Sequence, residues 1–283
     1  MAVSKVPTIR NLKFDIDESV PRRWHGPSQA ITSFFDNLSI FFPPGERFFI
    51  SSLLAHRSQI HDERLLEEIK AFCGQEGIHS REHVRYNAML EAKGYPASKM
   101  EAKVRKLLAR VERTVPARRR LAITCALEHF TASMGHILLD DPRILESAHP
   151  TMAALWRWHA AEETEHKGTA FDVFRAAGGT YGERVTTMIG ATVVFWAKVV
   201  EHQLRLMKED GILLSPKEWR QFARWVFIDP GWAWPLLAMY LDYYRPGFHP
   251  WDLDNRELVE AWKASSSASR SDANETPQTT GTS

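Results

Sequence analysis

Little in this chain points to export, to a membrane or to nucleic acid. Cysteine occurs only twice in 283 residues, as Cys73 and Cys125, which excludes a disulfide framework and fits reduced thiols in a cytoplasmic protein. Charge of one sign is also missing: 36 Lys and Arg stand against 35 Asp and Glu, a formal net charge of +1. The one basic run, Arg118-Arg119-Arg120, opens a helical segment and reads as a solvated face, so no nucleic-acid partner is expected. The longest apolar run, Met188 to Val200, is broken by Lys198 and falls short of the ~20 residues a membrane span needs. Residues 1–15 hold no apolar core of signal-peptide length, and export is not expected. Strand-like alternation and a nucleotide-binding signature are absent as well, which leaves an all-α protein without a nucleotide of its own.

Helical periodicity fills most of the chain. Residues 28–42 carry an apolar stripe (Ile31, Phe34, Phe35, Leu38, Phe41) that Pro43-Pro44-Gly45 is expected to end, with a second helix from there to about Ile60. Asp62 is a natural N-cap for a helix reaching Gly94, where Tyr95-Pro96 breaks it. A charged helix over 98–114, one from Pro116 to Asp140, and a long one from Pro150 to Gly178-Gly179 follow. Beyond them come a helix over 181–210, a capping box at Ser215-Pro216-Lys217-Glu218 and a Trp-rich helix near 231–244. Seven of the ten Trp lie from Trp196 onward, an aromatic load that suggests extra helix packing or a homodimer face first, and an apolar substrate pocket or a membrane-surface patch next. The expected organisation is an N-terminal extension (1–26), one helical metal-binding domain (27–255) and a disordered Ser/Thr-rich tail (264–283). Within that domain the bundle core is expected over 43–178 and an aromatic helical addition over 180–255.

Two copies of one pattern stand out: Glu76-Gly-Ile-His79 and Glu163-Thr-Glu-His166. Each follows a lone glutamate, Glu46 or Glu128, by about one helical hairpin. A Glu and a His three residues apart share a helix face, and two such pairs with two single Glu form the ligand set of a dinuclear carboxylate site in a four-helix bundle. The levels agree. The midpoint of Glu46 and Glu76 is residue 61, at the expected turn, and that of Glu128 and Glu163 falls between 145 and 146, inside the connector after Pro142. A helix of about 16 residues between the hairpins covers roughly 24 Å, enough for the one long crossover of a ferritin-like topology. Two divalent ions ~4 Å apart need bridging carboxylates to offset their repulsion. Mixed oxygen and nitrogen ligation suits iron first, manganese or a mixed iron–manganese pair next, and zinc less well. A lone Glu-x-x-His arises by chance in many helical proteins; six residues at matched levels on four helices are harder to explain blandly.

With these residues in view, the pattern resembles the diiron-carboxylate members of the ferritin-like superfamily. The segments Phe42-Pro-Pro-Gly-Glu-Arg-Phe48, Gln75-Glu-Gly-Ile-His-Ser-Arg-Glu-His83, Ala126-Leu-Glu-His-Phe130 and Trp158-His-Ala-Ala-Glu-Glu-Thr-Glu-His166 are more closely similar to a bacterial family labelled predicted metal-dependent hydrolases. That similarity spans about residues 20–255 and all six ligand positions.

Around the six, His83, His159 and Glu162 are candidates for partners that orient a ligand or for extra ligands, and Glu162 or His159 could serve as a general base. Glu162 and His166 also form an i, i+4 pair, a register ambiguity that the repeated Glu-x-x-His spacing resolves toward Glu163. Cys73 and Cys125 each precede a ligand by three residues and read as small core side chains beside the site. Three functions fit. An O2-activating oxidoreductase acting on a small, apolar organic substrate comes first, its electrons supplied by a separate donor protein. A hydrolase using a metal-bridging hydroxide is the alternative, and iron storage or a structural metal the third.

Overall fold

Helix starts follow local chemistry in the computed structural model, which describes residues 6–26 and 28–274, with side chains followed to residue 266. The chain is all-α: α1 (Gln29–Leu54), α2 (Glu63–Ala92), α3 (Ala97–Thr114), α4 (Ala117–Asp140), α5 (Pro150–His166), α6 (Thr169–Ala176), α7 (Tyr181–Glu209), α8 (Pro216–Phe227), α9 (Ala233–Asp242) and α10 (Arg256–Asn274). Among the described residues the sole β pairing is an isolated bridge between His25 and Ala148. Asp62 opens α2 by accepting from the N–H groups of Arg64 at 2.9 Å and Leu65 at 3.1 Å, as its position predicts. The two hairpin turns lie where the midpoints put them, at 55–62 and 141–149.

Four expectations meet corrections. The break foreseen at Pro43-Pro44-Gly45 is not there, and α1 runs through both prolines. A helical proline deprives the carbonyl four residues earlier of its N–H partner. For Pro43 that carbonyl belongs to Ser39, and Asn87 Nδ2 on α2 supplies the missing hydrogen at 3.2 Å. Conversely, the long helix expected from Pro150 to Gly178 is cut after His166 into α5 and α6. At the cut the buried Lys167 donates from Nζ to Leu253 O at 2.6 Å and Asn255 Oδ1 at 2.5 Å. Gly168 there packs so closely on Trp251 that a Cβ would lie 2.6 Å from its Nε1.

The capping box at Ser215 is only half formed. Ser215 Oγ accepts from Glu218 N–H, but the Glu218 carboxylate turns away to α1. There it takes Ser28 Oγ at 2.7 Å and Ala30 N–H at 3.1 Å, a favourable place for an anion at a helix N-terminus. Finally, α10 carries helix to Asn274, into the stretch expected as a disordered tail. Val259 and Trp262 are buried and anchor it, and extending a formed helix costs less than starting one. Residues 275–283 lie outside the described residues. The N-terminal extension contributes Ile16, Val20 and Trp24 to the main core.

Packing places the site. α1 packs on α2, α4 on α5, and α1 on α4, with α3 lying across α1, α2 and α4. Two hydrophobic clusters fill this assembly. One holds Phe34, Phe35, Tyr86, Phe130 and Trp156; the other holds Phe48, Phe72, Leu121, Cys125 and Phe174. Along α1, α2 and α4 the chain passes from one cluster to the other at Glu46, Glu76 and Glu128, and α5 ends in the same layer with Glu163 and His166. A polar slab lies between two apolar ones.

Candidate metal centre

All six residues singled out by spacing are in that slab, and each is at most 3 % exposed. His166 Nε2 lies 3.1 Å from Glu76 Oε1, 3.4 Å from Glu128 Oε2 and 3.6 Å from Glu163 Oε2. His79 Nδ1 lies 3.6 Å from Glu163 Oε1 and 4.0 Å from Glu76 Oε1. Glu163 therefore turns one oxygen toward each histidine, and Glu76 stands near both. Three overlapping groups each bring their potential ligand atoms within 4.8 Å of one another: Glu76, Glu128 and His166; Glu76, His79 and Glu163; Glu46, His79 and His159. His159 thus joins the six.

Whether these residues suit a cation is tested by their unmet hydrogen-bond capacity. Both carboxylate oxygens of Glu46, Glu76 and Glu128 are buried without a hydrogen-bond partner, as are His79 Nδ1 and His166 Nε2. Buried polar atoms are ordinarily satisfied. Eight orphaned atoms converging on one place, all able to donate electron pairs, fit a pair of divalent ions, and Glu/His ligation is of the hard-to-borderline kind that iron, manganese and zinc accept.

The outer face of each histidine is fixed. Gln75 Nε2 donates to Glu165 and to Thr8 O, both at 3.1 Å. Its Oε1 therefore accepts from His166 Nδ1 at 2.9 Å, which leaves His166 Nε2 bare toward the cluster. Glu162 Oε2 stands 3.1 Å from His79 Nε2 and, as a carboxylate, accepts its proton, leaving His79 Nδ1 bare. Glu162 is thus a partner behind His79, and Arg10 holds it at 3.2 Å while pairing with Glu165 at 2.7 Å. Such outer partners typically govern metal affinity by 10–100-fold. Glu162→Ala should weaken binding of one ion by about that factor, as competition with a chromophoric chelator would measure; wild-type affinity would contradict the role.

Electrostatics express the same crowding. Burial, then the neighbouring carboxylates, push Glu46 well above the ordinary carboxyl range; burial does the same to Glu76 and takes Glu128 up to about 7. Without metal the bare Nε2 of His166 can take up a second proton; burial opposes charge on Glu163, but that His166 charge and the hydrogen bonds of His159 and His166 outweigh it and hold it well below the usual range. A carboxyl raised in the folded state contributes stability that is present below the unfolded value near 4.5 and lost as pH climbs through the folded one. Chelator-treated wild type is therefore expected to lose thermal stability relative to Glu128→Gln as pH rises from about 4.5 to about 7, the lowered His79, His83 and His129 acting on both chains alike. A wild-type melting temperature that does not fall relative to the variant's over that window would refute this. Burial pushes the Cys73 thiol up to about 11 and raises Cys125, so both stay protonated in the second apolar layer.

Open space borders the cluster on one side. A pocket of about 60 Å³ touches His159, Glu163 and Thr131 and is walled by Leu38, Phe42, Met134 and Trp156. The Thr131 hydroxyl donates to Glu163. A larger chamber of about 440 Å³ shares Leu38, Phe42, Thr131 and Met134 with it. One stripe of α4, from Arg119 through Ile123 and Leu127 to Thr131, lines this chamber opposite Thr187, Gly190 and Val194 of α7. Twelve residues of helix make that path roughly 18 Å long. The spacing of Glu and His located the cluster; nothing comparable marked Arg10, Gln75 or the chamber, because their roles arise from tertiary contacts.

Comparison with known proteins places this geometry in a lineage. No curated protein and no solved structure matches the chain. A family model described as predicted metal-dependent hydrolase matches residues 8–254, from just before Arg10 to just before Asn255, so the whole cluster and its outer partners fall within the match. The chain belongs to the predicted metal-dependent hydrolase family.

Proposed function

We propose that the chain is a metal-dependent hydrolase whose slab of Glu46, Glu76, His79, Glu128, Glu163 and His166 holds two divalent ions, in a ferritin-like four-helix bundle of α1, α2, α4 and α5 with α3 as the crossover. The convergence of eight orphaned, buried ligand atoms carries this reading. Family membership supports placing hydrolysis ahead of the oxidation that spacing alone favoured. Two such ions act as Lewis acids and make water acidic enough to attack a carbonyl near neutral pH.

The chain's own residues have separable tasks. Thr131 holds the orientation of Glu163, the carboxylate that faces both histidines. Glu162, tied to Arg10 and His79, is not free to serve as a general base. The apolar walls exclude bulk water and accept the apolar part of a substrate. No Lys or Arg lines the inner pocket, which disfavours a phosphate and leaves an ester or amide of an apolar acid as the substrate class. Among the described residues no helix is long and apolar enough to cross a membrane. The proposed homodimer draws support from Phe227, Ile228, Trp234 and Leu241, each more than half exposed on the aromatic addition.

One observation favours O2-dependent oxidation as the second reading. The pocket against Glu163 offers hydrocarbon walls and almost no polar group to hold a leaving group. Chelator-treated protein reloaded with two equivalents of zinc, manganese or iron(II), the last anaerobically, separates the two. Ester cleavage with zinc or manganese supports hydrolysis. Rapid O2 uptake by the iron form, with no cleavage under any metal, overturns it in favour of oxidation.

A further inference from the structure

We propose that His159 is a third imidazole ligand of this centre, bound through Nε2 to the ion that Glu46, His79 and Glu163 share. The proposal rests on the dinuclear reading above and adds a residue to it.

Protons decide the matter, starting at the far end of a buried chain. Asn87 Nδ2 donates to the backbone oxygen of Ser39 at 3.2 Å. A carbonyl can only accept, so the other amide atom, Asn87 Oδ1, is the one facing Ser39 Oγ at 2.9 Å. That oxygen also only accepts, and the Ser39 hydroxyl proton is committed to it. Ser39 Oγ can then only accept from His83 Nδ1, 2.9 Å away. With its proton on Nδ1, His83 presents a lone pair at Nε2, which lies 2.8 Å from His159 Nδ1. A neutral His159 therefore carries its proton on Nδ1 and has Nε2 bare.

This bare nitrogen points at Glu163 Oε1 from 3.0 Å. Without metal a second imidazole proton bridges the two atoms at this ordinary hydrogen-bond length; an ion that displaces that proton would take up both electron pairs. The His79 ring lies nearly parallel to that of His159, with centroids 4.1 Å apart and 20° between planes, and His79 Nδ1 faces the same Glu163 oxygen at 3.6 Å. Glu46, with neither oxygen partnered, completes the group. The two ions would thus differ: one takes a single imidazole, from His166, and the other takes two. On α5 the three residues follow helical spacing as His159-x-x-x-Glu163-x-x-His166, one face of one helix.

The test counts imidazoles and measures each ion separately. Wild-type protein loaded with two equivalents of cobalt(II) should show three exchangeable, hyperfine-shifted imidazole N–H resonances. His159→Gly should lose one of them and bind the second cobalt at least tenfold more weakly, with the first unchanged, and added imidazole should restore the affinity. Two such resonances in the wild-type protein overturn the proposal even if the variant does not fold. Two ions held at wild-type affinity by His159→Gly overturn it as well, while leaving the dinuclear reading intact. A wild-type chain that binds fewer than two ions overturns the dinuclear reading itself, and this proposal with it.

Discussion

Glu163→Ala should bind at most one divalent ion per chain where the wild-type chain binds two, and most of the thermal stabilisation given by metal should vanish. Glu163 turns a separate oxygen to each of His79 and His166, so its loss strips a ligand from both ion positions. Ions present at a thousand times their dissociation constant stabilise a folded chain by about 4 kcal/mol, and most of that shift should be missing in the variant. Glu46→Ala supplies the contrast. Burial and three neighbouring carboxylates oppose charge on Glu46, so in chelator at pH 7 this variant should be at least as stable as wild type, yet fail to gain from metal. Glu163 is held in its charged form by His166 and His159, and in chelator its alanine variant should be less stable than wild type. Two ions bound by Glu163→Ala, as read by elemental analysis after gel filtration, would remove the basis for the site.

Under the proposed ester hydrolysis, Gly190→Trp should slow cleavage of long-chain acyl esters while sparing the metal. A Cβ built at Gly190 meets nothing within 4 Å, so the backbone tolerates a side chain, and the indole would project into the 440 Å³ chamber. Each methylene denied burial forfeits ~0.8 kcal/mol. Displacing four of them would cost about 3 kcal/mol, or on the order of 100-fold in kcat/KM. Palmitoyl and octanoyl esters should suffer that loss, whereas an acetyl ester, too short to reach past Thr131, should be cleaved as by wild type. Equal losses for acetyl and palmitoyl esters would mean that the chamber does not hold the chain.

The residues that could be read in advance are those whose signal is local and periodic. Glu46, Glu76, His79, Glu128, Glu163 and His166 came from spacing on helices, and the matched midpoints needed only the rule that hairpin partners are equidistant from their turn. The misses share one cause. Pro43 and Pro44 look like a helix end to any local rule, and the rescue of the Ser39 carbonyl comes from Asn87, 48 residues away. The cut after His166 is set by Lys167 and Trp251, again across more than eighty positions. Glu162 and Glu163 are neighbours with opposite surroundings, one backed by Arg10 and the other facing both histidines. Nothing in the sequence marks Arg10, since its partners Glu162 and Glu165 lie more than 150 residues on. The all-α class was legible from periodicity; α10 was not, because Val259 and Trp262 find a core only in the folded chain.

The anchoring of Lys167 has a consequence for biosynthesis. The residue after His166 is fixed by Leu253 and Asn255, so the end of α5 is set only once the chain is made to about residue 255 and has left the ribosome. Domains otherwise fold from the N-terminus as they emerge, and here α1, α2 and α4 would wait with three buried carboxylates already assembled. Loading with metal is thereby expected only after residue 255 has emerged, and a nascent or truncated chain ending before Leu253 is expected to present an unfinished slab to the ions of the cell.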